Sequence, residues 1–173
     1  STTDVVVDIK EFAASASAKI YTGLGGIVGR TEGSSTTSIQ ITNCTSLSQL
    51  TNSSPNVSNV QPAIGGIAGL AYKTSFNTIV NGAEGENNSG DITLKANSTS
   101  GGLIEIGGCA GYMAGGSDIQ NSGKVTVEAG SVCGAVLYVG GIVGYNNTNA
   151  LDNATNTGEV KVLGTSGSRT IVG

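Results

Sequence analysis

Gly140-Gly141-Ile142-Val143-Gly144 is the stretch whose reading decides the fold. The same pattern, GGIVG, stands at Gly25–Gly29, as GGIAG at Gly65–Gly69 and as GGCAG at Gly107–Gly111. A worn copy, RTIVG, closes the chain at Arg169–Gly173. Successive copies start 40, 42, 33 and 29 residues apart. Self-similarity at such a period marks stacked units, each too small to bury its own apolar face. The reading is one repeat domain over residues 1–173, either whole or a segment of a longer array.

Two further landmarks accompany each motif. One is an apolar-x-Asn step: Ile41-Thr42-Asn43, Ile79-Val80-Asn81, Ile119-Gln120-Asn121 and Leu151-Asp152-Asn153. The other is an alternating run after glycine, at Asp91–Leu94, Lys124–Val127 and Glu159–Val162, with Val5–Ile9 as the first copy and Leu47–Leu50 a degraded one. Period-two alternation of β-branched residues is the mark of half-buried strands. Only Glu11–Ala18 has helical propensity, and it is short. The expected fold is all-β: a parallel β-solenoid of four to five coils with about three short strands per coil, stacked about 4.8 Å apart. An antiparallel sandwich with ordinary turn glycines is the competing fold, but hairpins would not require one three-part order in every unit.

The motif glycines (Gly25, Gly26, Gly29; Gly65, Gly66, Gly69; Gly107, Gly108, Gly111; Gly140, Gly141, Gly144) fit corners that need a positive φ or close backbone approach. Asn43, Asn81, Asn121 and Asn153 occupy one position in consecutive units and are expected to stack as an amide ladder, a structural device preferred here to a ligand site. Polar segments of variable length lie between the landmarks: Lys10–Thr22, Thr51–Pro62, Gly82–Ser89, Asn97–Gly102 and Glu128–Ser131. They map to solenoid edges and are the natural contacts of any binding role.

Composition narrows the function classes. The chain has 28 Gly, 12% charged residues, 4% aromatic residues, no Trp and no His, at a net charge of −4. Without a Lys/Arg cluster it lacks the electrostatic footprint of a nucleic-acid binder, and anionic membranes are disfavoured likewise. The longest nearly apolar run, Val132–Gly144, is too short to span a bilayer. No charged n-region followed by an apolar segment opens the chain, so a secretory signal, if there was one, has been removed. The three cysteines, Cys44, Cys109 and Cys133, make no full disulfide framework. Cys109 stands where other units carry Ile27, Ile67 and Ile142, which points to a buried inert thiol. A Cys109–Cys133 bridge is the alternative, and a metal or catalytic role lacks a histidine partner.

The glycine quartets, followed by Asn and a Gly-x-Val-x-Val run, resemble the GLUG-motif repeats over about Thr22 to Gly173. That family occurs in secreted and surface-anchored proteins, including some bacterial immunoglobulin A peptidases, where the repeats lie outside the catalytic machinery. This sequence departs from it in carrying Ile or Cys where the name-giving Leu stands. The resemblance implies an extracellular, non-catalytic repeat region and supplies no ligand.

Chemistry is otherwise sparse. Without His there is no Ser-His or Cys-His pair, and the 12 carboxylates are scattered. A polysaccharide-active carboxylate pair assembled across coils is the remote enzymatic reading, and no cofactor is implied. Glu84, Glu86 and Asp91 alternate in a polar loop like calcium ligands but lack the terminal bidentate glutamate, and a plain polar loop fits better. Seven Asn-x-Ser/Thr sequons begin at Asn43, Asn52, Asn56, Asn87, Asn97, Asn146 and Asn153. That is roughly twice the number composition gives by chance, and in a eukaryotic secreted protein they are glycan acceptors. Asn43 and Asn153 are conflicted, because a ladder side chain cannot also carry a glycan. Tyr112 and Tyr145 each follow a glycine motif directly, as Arg30 and Leu70 do in other units, and are expected to pack across coils.

Uncapped solenoid ends expose strand edges and invite another chain to stack. The expected role is a non-enzymatic extracellular structural module, in a surface protein or fibre, self-associating through its ends or through neighbouring repeats. An adhesin or glycan-binding module using the loops is the alternative.

Overall fold

A computed structural model describes residues 6–9, 12–13, 20–34, 36–52, 57–58, 60–96, 102–130, 134–147, 150–164 and 169–173. The first coil holds β1 (Val6–Ile9), β2 (Phe12–Ala13), β3 (Ile20–Gly25), β4 (Val28–Glu32) and β5 (Ile39–Ser46). The second holds β6 (Gln49–Asn52), β7 (Val57–Ser58), β8 (Val60–Gly65), β9 (Ala68–Tyr72) and β10 (Thr74–Asn81). Then come β11 (Ile92–Ala96), β12 (Leu103–Gly107), β13 (Ala110–Met113) and β14 (Gly116–Asn121). The fourth coil is β15 (Val125–Ala129), β16 (Val136–Gly140), β17 (Val143–Asn146) and β18 (Leu151–Asn156), followed by β19 (Val160–Leu163) and β20 (Arg169–Val172).

Every pairing between these strands is parallel, and equivalent strands stack in register. The fold is therefore an all-β parallel solenoid. Sheet I is β1-β6-β11-β15-β19, sheet II β3-β8-β12-β16-β20, sheet III β4-β9-β13-β17 and sheet IV β5-β10-β14-β18. A short pair, β2 with β7, is added on the first two coils. Each of the first four coils thus carries four main strands, one more than the sequence reading gives, and the last carries two. The glycine motif is no single strand: it bends between its second and fourth residues and splits into the end of one strand and the start of the next.

The coil encloses two cores. Leu50, Ile92, Leu94, Val125 and Val127 of sheet I pack on Ile64, Ile104, Ile106, Leu137 and Val139 of sheet II. Ile41, Phe76, Ile79 and Ile119 of sheet IV pack on Ala68, Ala71, Ala110 and Met113 of sheet III, with Ile67 and Cys109 from the glycine-motif bends. Strict alternation explains the first core: β11 buries Ile92, Leu94 and Ala96 while Thr93 and Lys95 face water. Between the cores, sheets II and III lie back to back. A Cβ at Gly111 would meet the backbone of Ala63 and Ile64, and one at Gly69 the backbone of Gly23 and Leu24. Main chain touches main chain there, a contact only glycine permits. None of the motif glycines has a positive φ, so close approach is the reason for them, not turn conformation.

The second glycine of each motif has another task. A Cβ on Gly66 would strike the Asn81 amide, and one on Gly108 the Asn121 amide. These amides form the ladder. Asn81 Nδ2 donates to Asn121 Oδ1 at 2.8 Å, and Asn121 Nδ2 donates to Asn156 Oδ1 at 2.7 Å. The three also donate to the carbonyls of Gly90, Gly123 and Gly158, each at 2.8 Å. The ladder so joins the bend between sheets II and III to the bend leading from sheet IV to sheet I.

Asn43 and Asn153 are not rungs, contrary to the sequence reading. The register sets Ser46, Asn81, Asn121 and Asn156 opposite one another. Asn43 and Asn153 belong to a second column with Thr78 and Asp118, three residues earlier. All four have positive φ, at 53°, 49°, 53° and 52° for Asn43, Asn153, Thr78 and Asp118. Asn and Asp tolerate that left-handed conformation better than other side chains, which is why asparagine recurs there as well.

At the first rung Ser46 is too short to reach, and Asn81 Oδ1 is buried without a hydrogen-bond partner. Gly26 leaves the same side-chain space at Ser46 that Gly66 leaves at Asn81. Ser46→Asn is expected to supply the missing donor and stabilise the fold by about 1 kcal/mol, raising Tm by about 2–4 °C. Thermal unfolding followed by circular dichroism checks this; an unchanged or lower Tm would contradict the rung geometry.

Candidate functional site

Sheets II and III touch at the glycines and diverge beyond them. The space that opens between them is a groove of about 500 Å³. Leu103, Glu105 and Tyr138 line it from sheet II, and Arg30, Leu70, Tyr72, Tyr112 and Tyr145 from sheet III. Register explains the arrangement. Ala63, Glu105 and Tyr138 stand side by side on sheet II, and Arg30, Leu70, Tyr112 and Tyr145 stand side by side on sheet III.

The tyrosines form a column along the stacking axis. Tyr112 and Tyr145 stack at 5.7 Å between ring centroids and 21° between planes. Tyr72 leans on Tyr112 at 6.4 Å, and Tyr138 meets Tyr145 at 5.6 Å in an edge-to-face arrangement. Lys73 Nζ sits 5.5 Å from the centre of the Tyr72 ring. Tyr112 and Tyr145 thus do pack across coils, as expected from their place after the glycine motif.

Glu105 lies among these rings, only 6% exposed. Burial pushes its carboxyl up to about 7. The Tyr112 hydroxyl is raised as well, first by burial and then by the charges of Glu105, Tyr72 and Tyr145, against a lowering hydrogen bond from Asn147. Arg30 does not compensate Glu105; its guanidinium donates to Glu32 Oε2 at 2.7 Å on the surface. The sequence reading missed Glu105. Its one signal was a charge inside the apolar run Leu103-Ile104-Glu105-Ile106.

The other singled-out residues fall elsewhere. Cys109 is a fully buried free thiol, pushed up to about 12 by desolvation, and donates to the Gln120 carbonyl. Cys44 is a free, half-buried thiol, and Cys133 lies outside the described residues. Glu84 and Glu86 are exposed, while the Asp91 carboxylate accepts from Lys124 N at 2.7 Å and so caps the next coil. Among the described residues no three His, Cys, Asp or Glu side chains come together as metal ligands. Asn43, Asn87, Asn146 and Asn153 are exposed, so the conflict between ladder and glycan disappears for Asn43 and Asn153. Asn153 instead donates to Asp118 Oδ1 at 2.6 Å. Asn56 and Asn97 lie outside the described residues, and Asn52 lies in β6.

The ends of the stack are the second surface. Every main sheet finishes on an edge strand: β1, β3, β4 and β5 at one end, β19, β20, β17 and β18 at the other. Ile27 (48% exposed) belongs to the first coil, and Leu163 (41%) and Val172 (52%) to the last strands. Among the described residues no helix is long and apolar enough to cross a membrane. In comparisons with family models, with curated proteins and with solved structures, nothing matches this chain.

Proposed function

We propose that the chain is a non-catalytic, extracellular structural repeat module, assembled into a surface array or fibre by end-to-end stacking. The observation that carries this reading is that all four main sheets finish on edge strands at both ends. Sheets I to IV finish on β1, β3, β4 and β5 at one end and on β19, β20, β17 and β18 at the other. A neighbouring repeat or a second copy that follows the same path extends these sheets by parallel pairing, once the half coil ending in β19 and β20 is completed in sheets III and IV. Edge strands favour such addition because their backbone donors and acceptors can continue the parallel ladder. The apolar Ile27 and Val172, whose counterparts Ile67 and Val139 are buried inside the stack, would lose their exposure in it. The likeness of the glycine motifs to GLUG repeats and the low charge support a place outside the cell, and the exposed sequon asparagines are acceptors if the source is eukaryotic.

Light scattering over a wide concentration range, with electron microscopy, tests the reading. Particle mass is expected to rise with concentration and rods to form along the stacking axis. Ile27→Lys with Val172→Lys places a charge at each end, where the inner coils bury Ile67 and Val139, and is expected to weaken association at least tenfold without loss of the β-sheet spectrum. A monodisperse monomer throughout, or association untouched by the double variant, contradicts it.

A further inference from the structure

The groove holds a carboxylate that packing does not require. Neighbouring coils carry Ala63 and Tyr138 in the place of Glu105, so the sheet forms there without a charge. A buried carboxylate is costly unless a cation or hydrogen-bond donors meet it. Among the described residues none does. Arg30 is committed to Glu32, and Lys73 Nζ sits over the Tyr72 ring. An uncompensated ionisable group in a cleft is the signature of a site whose partner comes from outside.

The surroundings narrow the ligand. Glu32, the other acid lining the groove, is paired with Arg30, and among the described residues no three His, Cys, Asp or Glu side chains come together, which makes a poor divalent-metal site. A sugar would need open ring faces, but Tyr112 and Tyr145 spend theirs on each other. What remains is a monovalent cation on an apolar stem. The exposed edges of the tyrosine rings offer an apolar wall to the methylenes, Glu105 meets the charge, and the groove is of side-chain size. We propose that this groove binds a protonated alkylamine, its ammonium paired with Glu105 and its methylene chain laid against Tyr112, Tyr138 and Tyr145. A free amine and the lysine side chain of a partner protein share that chemistry.

Calorimetric titration of the folded chain at about pH 8, in phosphate buffer, tests it with two probes. Butylamine stands for a free amine and Nα-acetyl-lysine methylamide for a protein side chain; the tighter of the two identifies the source. Saturable binding is expected, weakened at least tenfold by acetylating the lysine Nε, which removes the charge and keeps the stem. Glu105→Gln is expected to weaken binding at least tenfold, and circular dichroism of that variant establishes that it is folded. Three results overturn the proposal: no saturable binding of either amine, binding indifferent to Glu105→Gln or to Nε acetylation, or binding of neutral oligosaccharides in place of amines.

Discussion

Asn121→Ala is expected to cost about 4 kcal/mol, the heaviest single loss in the amide ladder. Asn121 is the one rung with a rung on both sides: it accepts from Asn81, donates to Asn156 and donates to the Gly123 carbonyl. Alanine removes all three bonds at once. It strands an Asn81 amide proton and the Gly123 carbonyl in a region where Asn81 and Asn121 are at most 1% exposed. Each buried polar group left unmet costs about 1–3 kcal/mol, so the penalty exceeds that of a lost surface bond. The space vacated lies against Gly108, which offers no side chain to fill it. Asn156→Ala is the internal control, because Asn156 is exposed at the end of the ladder and water replaces its partners. Its cost is expected to be about 1 kcal/mol. Chemical denaturation of the two variants checks the contrast; equal losses would mean that the ladder does not act as a chain of mutually dependent bonds.

Glu105→Gln is expected to have the opposite sign. The folded carboxyl titrates near 7, against the ordinary 4.5 that the unfolded chain keeps, and the cause is burial. Below about pH 4 both states are protonated and the position costs nothing in charge. Between 4.5 and 7 the unfolded chain ionises first, and stability falls as pH rises. Above 7 the full penalty stands, about 3 kcal/mol for a shift of this size. The neutral amide removes it, so the variant is expected to gain up to about 3 kcal/mol at pH 8, or about 6–12 °C in Tm. At pH 4 it is expected to match the parent. The other ionisable groups around the groove, Arg30, Glu32, Tyr72, Tyr112, Tyr138 and Tyr145, remain in both proteins and cancel in the difference. Thermal unfolding at the two pH values is the measurement, and a gain that is equal at both would assign it to packing instead of charge. A carboxylate that weakens the fold at neutral pH fits a residue kept for a ligand.

The coil, its parallel stacking and the role of the glycines were legible because they repeat: a motif at fixed phase reports a geometric demand made once per turn. Asn81 and Asn121 were legible as rungs for the same reason. The outer rungs were not. In the first and last coils the left-handed residues Asn43 and Asn153 are also asparagine, and they stand three positions ahead of Ser46 and Asn156. Two demands, one conformational and one for hydrogen bonding, select the same amino acid, and only the strand register separates them. Glu105 was hidden by a different assumption. Alternation assigns one face of a strand to the core and the other to water, so a charge between Ile104 and Ile106 reads as solvated. Here sheet II has a neighbour on both faces, and the side turned away from the core looks into the groove.

The bare main-chain contact between sheets II and III also divides the molecule's history. Side chains of the Leu94–Ile106 core and of the Phe76–Met113 core form separate clusters. A change of volume in one has no side chain through which to press on the other. Compensating substitutions need arise only within the half where the first one occurred, while the glycine strip and the Asn81 and Asn121 rungs set against it must stay as they are. A repeat built this way is free to diversify as two independent lineages of packing carried by one backbone.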